Sequence, residues 1–343
     1  MARLTPLPNR LRARLTLLAA VFTVTTLASF GEDSAALQAQ IRKAVDSGLR
    51  ILEKSAAAYP DHRSCFSCHH QTLPMQAMAA ARKGGFKIDE ALFQAQAQFT
   101  YDSFRSRIDA LSDGTGVGGK SMTVAYGLWA LRLADRAQDD TTATMVRYLL
   151  KTQSEDGQFW SNKVRPPLED STFTATALSA FFMQKFAPPD CQPEIERSVN
   201  AARSWLLRTQ PSSQEDRTFR LWGLNSLKAE DEAIDKARAA VLDAQRSDGG
   251  WAQLADMKSD AYATGQTLFL LQESGTSVDN RAYQRGVRFL LESQLPDGSW
   301  HVKTRSKPVQ TFFDSDFPHG KDQFISVSAT SWAVAVLAAA HPR

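Results

Sequence analysis

The chain has 343 residues, and 43% of them are hydrophobic, which is enough for one large globular domain. Its 40 basic residues nearly balance its 37 acidic ones, and without the four arginines that precede residue 15 the ratio becomes 36 to 37. No lysine- or arginine-rich tract follows these arginines, so the sequence disfavours a nucleic-acid partner, and we expect none.

The N-terminus has the pattern of a secretory leader. Four arginines precede the apolar run Leu15–Phe30, which ends in small residues. We therefore expect a signal peptide over residues 1–31 and an exported domain over residues 32–343. That domain would be periplasmic or secreted, with peripheral or no membrane contact after cleavage. The run is short for a membrane span, and an uncleaved anchor is the alternative.

A cysteine- and histidine-rich segment follows the first predicted helix. Cys65-Phe-Ser-Cys68-His69 has the C-x-x-C-H spacing that attaches c-type haem through two thioethers, with His69 as the iron ligand. Two alternatives remain: a local Cys65–Cys68 disulfide, and a metal site that includes His69 and His70. Candidates for a second axial haem ligand are His62, Met75, Met78 and His319.

Helical spacing of apolar residues recurs from residue 34 onward and predicts an all-α fold. The predicted pairs are Ser34–Ala58 with Gln71–Lys83, Asp89–Ala110 with Ser121–Ala134, Asp139–Thr152 with Ser171–Lys185, Pro193–Thr209 with Gln214–Leu227, Asp231–Ala244 with Asp260–Glu273, and Asn280–Ser293 with Asp322–Ala340. The first helix of each pair carries charge, whereas the second is apolar or small nearly all round and must be buried. The first helices would form an outer layer and the second helices an inner one, and six such hairpins can close into a single α/α toroid.

Three loops between these helices repeat one turn pattern of Gln, Asp-Gly and Trp. The members are Gln153, Asp156, Gly157 and Trp160; Gln245, Asp248, Gly249 and Trp251; and Gln294, Asp297, Gly298 and Trp300. Asp-Gly suits a tight turn with positive φ, Gln can bind backbone groups at helix ends, and Trp can cover the joint. We expect the three Trp side chains to occupy equivalent buried or half-buried positions.

These repeats resemble those of squalene–hopene and oxidosqualene cyclases, within the prenyltransferase and squalene-oxidase repeat superfamily. The resemblance covers about residues 139–340 and implies an α/α toroid. In combination with the Cys65–His70 segment, the chain is similar to bacterial squalene-cyclase-like proteins that carry a C-x-x-C-H segment. The repeats brace helices and perform no chemistry, so the resemblance implies a fold rather than an activity.

The catalytic signatures of that superfamily are not matched. The Asp-x-Asp-Asp acid of the cyclases has only Leu168-Glu-Asp-Ser-Thr172 as a partial counterpart, and Asp139-Asp-Thr-Thr-Ala143 departs from Asp-Asp-x-x-Asp. The zinc ligands of protein prenyltransferases have no counterpart near the last repeats. Whether the chain is an enzyme is therefore left open by its sequence.

Corresponding loops of a ring must face the same end, so polar residues of different hairpins should meet there. Candidate catalytic carboxylates at this end are Glu169, Asp170, Asp314, Asp316 and Asp322, and His319 and Lys321 accompany them. Closure of the ring should place residues 313–322 beside Cys65–His70. For each lone carboxylate, helix capping or solvation is the simpler explanation. Trp129, Trp222 and Trp332 are expected in the core and would line a cavity if the ring is incompletely filled.

The sequence therefore favours an exported toroid with a Cys/His site, which would carry covalent haem c, at one rim. A central apolar pocket would serve redox chemistry or bind an isoprenoid-like molecule. One alternative is a terpenoid cyclase or a polysaccharide-active enzyme that uses the rim carboxylates. The other is a non-catalytic binding or scaffold module.

Overall fold

The computed structural model describes residues 10–161, 165–308 and 311–341, with side chains from residue 35 onward, and these residues contain thirteen α-helices and no strand. Six helices form an outer layer: α1 (Arg10–His62), α3 (Glu90–Arg105), α6 (Asp140–Thr152), α8 (Gln192–Arg208), α10 (Asp231–Asp243) and α12 (Arg281–Ser293). The short helix α4 (Ile108–Asp113) follows α3, so the single helix predicted over Asp89–Ala110 is in fact two.

The inner layer also has six helices, and they close a ring. They are α2 (Leu73–Lys83), α5 (Lys120–Leu133), α7 (Thr172–Lys185), α9 (Gln214–Ser226), α11 (Ala261–Glu273) and α13 (Gln323–Ala340). Each inner helix contacts the next in chain order, and α13 returns to α2. The predicted α/α toroid of six hairpins is confirmed. Residues 10–31 of the predicted leader belong to the backbone of α1, residues 1–9 lie outside the described residues, and signal cleavage stays a prediction.

The inner helices are inside because they lack a polar face. Helix α13 is buried along nearly its whole length, from Gln323 to Ala338. Among the described residues, the segment Gly320–Ala340 is long and apolar enough to span a bilayer, but 83% of its apolar window is buried inside the ring. Its composition is therefore that of a core helix.

The repeated turns join neighbouring hairpins through their glutamines. Each Gln side-chain amide donates to the carbonyl of the Gly in its own turn and to a carbonyl of the next outer helix. The amide nitrogens of Gln153, Gln245 and Gln294 lie 2.9, 2.7 and 2.9 Å from the carbonyl oxygens of Ser198, Ala282 and Ala44, respectively. The Asp of each turn accepts from the backbone N–H two residues later, at Gln158, Gly250 and Ser299. The carbonyls of Ser198, Ala282 and Ala44 lie within helices and not at their C-terminal ends, so each glutamine adds a second hydrogen bond to its carbonyl and ties the turn to the next outer helix.

The aromatic position of the first turn differs from the prediction. Trp251 and Trp300 are fully buried, and their indole N–H groups donate to Val241 and Leu290 on the preceding outer helices. Trp160 is 42% exposed, so its predicted equivalence to them was wrong. Phe159 takes the buried position, because the aromatic residue must stand six positions after Gln.

A shared backbone contact confirms that register. The N–H groups of Phe159, Trp251 and Trp300 donate to the hydroxyls of Thr176, Thr264 and Thr330, each on the inner helix that follows the turn. The three turns therefore make the same backbone contact, although the aromatic residue is Phe in the first and Trp in the other two.

The last turn closes the ring against its first helix. Gln294 reaches Ala44, and Gly298, with φ of 93°, lies so close to α1 that an added Cβ would come within 2.7 Å of the Ser47 carbonyl oxygen. Only glycine combines positive φ with this approach. Units one and six, about 250 residues apart in sequence, are thus joined at this point.

Replacement of Gly298 by Ala should destabilise the ring more than replacement of Gly85. Both glycines have positive φ, 93° and 83°, but an added Cβ at Gly85 meets nothing within 4 Å. The left-handed conformation costs each variant about 1–2 kcal/mol, and the clash with Ser47 should add about 1–3 kcal/mol for Gly298→Ala. Urea denaturation of both variants measures the difference. Equal free energies of unfolding would contradict this closing contact.

Candidate functional sites at the two ends of the ring

The loops that precede the inner helices meet at one end of the ring, called here the loop mouth. The side chain of Ser306 donates to the carbonyl of Pro166 at 3.2 Å, and Arg305 Nε donates to Gln253 at 2.8 Å. The long loop after α12 therefore reaches the loops of the third and fifth hairpins. The predicted convergence of the loops at one end is confirmed for the third, fifth and sixth hairpins.

The Cys/His segment lies at this mouth. Cys65 is exposed and Cys68 is half-buried, and both thiols are free. Cys68–Thr72 forms a π-helical turn that leads into α2. The Tyr59 hydroxyl is 3.9 Å from Cys65 Sγ, and Cys68 Sγ is 3.8 Å from His69 Nδ1. Burial raises the pKa of Cys68 to about 12, so its thiol is neutral at physiological pH.

The two histidines of the segment sit among aromatic rings. His70 is fully buried and stacks on Tyr59 with a centroid distance of 4.7 Å. His69 lies 4.8 Å from His70 and 5.2 Å from the ring of Phe324. Burial lowers the pKa of His70 to about 3 and that of His69 well below its ordinary value, so both imidazoles are neutral. Neither ring nitrogen of His70 has a hydrogen-bond partner among the described residues.

A metal ion would need more ligands than this pair. In the described part of the chain, no three His, Cys, Asp or Glu side chains are grouped so that they could hold a metal ion. His69 and His70, predicted as metal ligands, therefore lack a third such ligand within those residues.

The loop after α12 adjoins the Cys/His segment through Phe313. Its ring centroid is 5.9 Å from Tyr59 and 5.4 Å from Phe324, and the guanidinium of Arg63 lies 4.3 Å above it. Tyr59 and Phe324 in turn contact His70 and His69, so Phe313 lies near the segment through these two rings, while a direct contact of residues 313–322 with the segment stays a prediction.

His319 and Lys321, predicted on the same rim, contact other parts of the structure. His319 Nε2 is 2.7 Å from the Ser299 hydroxyl, and its ring stacks on His301 at 4.5 Å. Lys321 is exposed. Both belong to the turn of the sixth hairpin, and the described contacts of His319 do not reach the Cys/His segment.

The five predicted carboxylates do not form one cluster, and local partners account for most of them. Glu169 pairs with Arg165 at 2.6 Å, Asp316 with Lys54 at 3.5 Å, and buried Asp322 accepts from His301 at 2.9 Å. Asp314 is exposed and accepts from the N–H of Asp316 at 3.0 Å. Asp170 lies beside a small cavity inside the mouth.

That cavity contains a carboxylate that the sequence did not reveal. Glu215, in the first turn of α9, is only 5% exposed and accepts hydrogen bonds from Thr174 at 2.9 Å and Tyr262 at 3.0 Å. Burial raises the pKa of Glu215 from 4.5 to about 8. Burial also raises the pKa of Asp216. Hydrogen bonds from Ser171 and other serines stabilise its charged form more strongly, so the pKa of Asp216 is lowered. Adjacent carboxyl groups thus hold different protonation states at neutral pH.

The space beside Glu215, called here the polar chamber, has a volume of about 20 Å³. It is lined by Asp170, Ser171, Glu215, Gln253, Tyr262 and Arg305, among others. This volume suits about one water molecule. The chamber can hold a proton and a small polar group, but it is too small for a terpenoid.

A larger cavity lies at the opposite end, where the inner helices finish. We call this cavity the aromatic cup. Its volume is about 450 Å³, which is within the range of small-molecule sites. Its apolar lining is Trp129, Leu178, Phe181, Phe182, Trp222 and Phe269. The exposed residues Arg132, Lys185 and Glu273 lie at its edge. The ring is therefore incompletely filled at this end, and two of the three tryptophans expected in the core line the cup.

Curated proteins match parts of the chain. Lanosterol synthase of Candida albicans is 24% identical in an alignment of length 138 that covers 33% of this chain and 19% of that protein. Squalene-hopene cyclase of Schizosaccharomyces japonicus is 28% identical in an alignment of length 95 that covers 22% of this chain and 14% of that protein. The chain thus spans less than a fifth of the length of these relatives. No protein-family model matches it.

Solved terpene cyclases share the fold. A type II terpene cyclase from Scytonema, in complex with geranylgeranyl dihydroxybenzoate, covers 90% of this chain and 99% of its own, with a TM-score of 0.56 and 14% identity. The match to ent-copalyl diphosphate synthase from Streptomyces platensis covers 79% of this chain and 50% of that protein, with a TM-score of 0.51 and 18% identity. The sequence matches and the structural neighbours together support an assignment of the chain to the squalene-cyclase-like superfamily. At these identities the structural likeness shows the fold alone; a glycosidase with 10% identity has a TM-score of 0.55.

One signal in this squalene-cyclase-like sequence could have revealed Glu215. Gln214-Glu-Asp216 opens an inner helix, where acidic residues usually cap the helix or favour its dipole. Ser213 already supplies the cap, so Glu215 is free to face the ring interior. The corresponding second position of α11 is Tyr262, its hydrogen-bond partner.

The raised pKa of Glu215 predicts a pH-dependent contribution to stability. Between 4.5 and about 8 the folded chain binds more protons at this site than the unfolded chain. The contribution is therefore fully present below pH 4.5 and is lost as pH rises through 8, by at most about 1.4 kcal/mol per pH unit. Glu215→Gln removes this titration. The free energy of unfolding of wild type minus Glu215→Gln should fall between pH 5 and pH 8, as measured by urea denaturation.

Glu196→Gln is the matched control, because Glu196 is exposed on an outer helix. This variant measures the effect of removing an exposed carboxylate, and that effect is subtracted at each pH. A difference for Glu215→Gln that does not change between pH 5 and pH 8 would show that Glu215 is ionised throughout this range.

Proposed function

We propose that this chain is an exported toroid that binds an isoprenoid-like apolar molecule in the aromatic cup and does not cyclise it. The observation that carries this proposal is the cup itself, a cavity of about 450 Å³ walled by Trp and Phe side chains. Burial of a flexible hydrocarbon against such walls stabilises a complex in proportion to the apolar area removed from water. The similarity to terpenoid cyclases favours a ligand of that class.

Binding without cyclisation is favoured by the position of the buried acid. Glu215 precedes Trp222 by seven residues on the same helix, which corresponds to about 10 Å along its axis. The ring centroid of Trp129, in the cup wall, lies 6.0 Å from that of Trp332 and 5.8 Å from that of Tyr126, and the latter two side chains are fully buried. A ligand in the cup would therefore not touch the carboxyl group of Glu215.

A terpenoid cyclase-type enzyme is the second candidate. A carboxyl group that is protonated at neutral pH, as the raised pKa of Glu215 indicates, is the kind of group that general acid catalysis requires. Conversion of a linear polyprenyl compound to a cyclic product, and its loss in Glu215→Gln, would establish this candidate. Unchanged substrate would support binding alone.

We further propose that the Cys/His segment attaches haem c after export. The exposed thiol of Cys65 is accessible to a porphyrin vinyl group, and the neutral ring of His69 can donate a lone pair to iron. Tyr59, Phe313 and Phe324 offer apolar surface nearby. When bound, haem would supply one-electron redox chemistry. Cys68 is half-buried and would have to turn outward for its thioether, so a Cys65–Cys68 disulfide is the alternative.

Haem attachment predicts a covalent chromophore. The full chain, produced in the periplasm of a host with a cytochrome c maturation system, should show a reduced haem absorption band that survives denaturation. Cys65→Ala and Cys68→Ala should each lose most of it, whereas Cys191→Ala, which removes the buried cysteine outside the segment, should retain it. Sequencing of the mature N-terminus should show cleavage near Ala28 or Ser29. Absence of the chromophore would overturn the haem proposal and leave ligand binding unaffected.

Ligand binding in the cup predicts an aromatic dependence. Trp222→Ala should weaken binding of farnesol by about tenfold or more, because removal of a buried aromatic wall costs a few kcal/mol of contact. Isothermal titration calorimetry measures the change. Trp160→Ala is the control, since Trp160 is exposed at the loop mouth and should leave the affinity unchanged. Absence of farnesol binding to the wild-type chain would contradict the proposal.

A further inference from the structure

The edge of the aromatic cup carries an unequal number of charges. Arg132 and Lys185 lie there in the last turns of α5 and α7, and Glu273, at the end of α11, is the one carboxylate among the residues that line the cup. The lining therefore has one net positive charge. An apolar molecule with no charged group would leave these two cations without a function in binding.

The two cations are placed at the cup by different contacts. The Lys185 ammonium lies 4.8 Å from the ring centroid of Phe181, and Phe181 is part of the cup wall. This cation–π contact keeps the charge against the apolar wall. Arg132 pairs with Asp135 at 2.8 Å, but their side chains are 52% and 83% exposed. Such an exposed pair contributes little, so the guanidinium can exchange it for a ligand anion at small cost.

A structural role alone explains these residues only in part. Basic side chains in the last turn of a helix interact favourably with its C-terminal carbonyl groups. That role applies to any helix end and does not require the side chain to border a cavity. Here two of them border the same cavity from neighbouring inner helices, above a floor of Trp129 and Trp222.

We infer that the cup takes an amphiphile with an isoprenoid-like body and an anionic head, with the head held at the edge by Arg132 and Lys185. The inference rests on the proposed ligand-binding function and adds the chemical class of the head group. The body lies against the aromatic floor, and the carboxylate or phosphate of the head stays at the solvent-exposed edge. Glu273 lies at the same edge, and its carboxylate disfavours any other negative charge close to it, which leaves the side of Arg132 and Lys185 for the anionic head.

Four ligands with one hydrocarbon body test this assignment: farnesol, farnesoic acid, farnesyl monophosphate and farnesylamine. At low salt the two anions should bind the full chain about fivefold or more tighter than farnesol, and farnesylamine should bind no tighter than farnesol. The preference should shrink at 1 M salt, because screening shortens the reach of exposed charges. The tighter of the two anions identifies a carboxylate or a phosphate as the head.

The variant Arg132→Gln/Lys185→Gln should lose the preference for anions and keep the affinity for farnesol. Lys87→Gln is the matched control: Lys87 is exposed in the turn after α2, at the same end of the ring, and is absent from the cup lining. This control should keep the preference. Equal affinities of farnesol and farnesoic acid for the wild type would overturn the inference while the proposed function stands. Tighter binding of farnesylamine would also overturn it. Failure of all four to bind would instead refute the proposed function.

Discussion

The interaction on which the rest of this structure depends is the contact between one hairpin's turn and the backbone of the next outer helix. A glutamine donates to a carbonyl of that helix, and a glycine with positive φ allows the two backbones to approach. At Gln294 and Gly298 the same contact joins the last hairpin to α1. The next outer helix contributes backbone carbonyls to this contact, so it needs no particular side chain at the contact point. The first hairpin can therefore carry an unrelated sequence in its own loop.

Ring closure places two chemically different spaces on one axis. At the loop mouth, helix N-termini and polar loops surround Glu215, and the polar chamber is about 20 Å³ in volume. At the far end, aromatic side chains leave an open cup of about 450 Å³. The buried rings of Trp332 and Tyr126 pack against Trp129 of the cup wall. A cyclase needs acid and apolar pocket in contact, and their separation in this chain favours a binding function for the cup.

The sequence was sufficient to predict the helices, their pairing and the toroid, because these depend on apolar periodicity and on turn residues with a local mechanism. It misassigned Trp160, because the three turns were aligned on tryptophan rather than on the spacing of six positions after Gln, which selects Phe159. It missed Glu215, since the burial of an acidic residue at a helix start depends on neighbouring helices. The cup was foreseen only conditionally, because whether a ring is filled depends on the packing of six helices together.

The most direct test of this account is a crystal structure of the full chain grown with farnesyl monophosphate. We predict electron density for the hydrocarbon between Trp129 and Trp222, with the phosphate near Arg132 and Lys185 and no ligand at Glu215. Density for the hydrocarbon at the loop mouth, in contact with Glu215 or with the Cys65–His70 segment, would contradict the account.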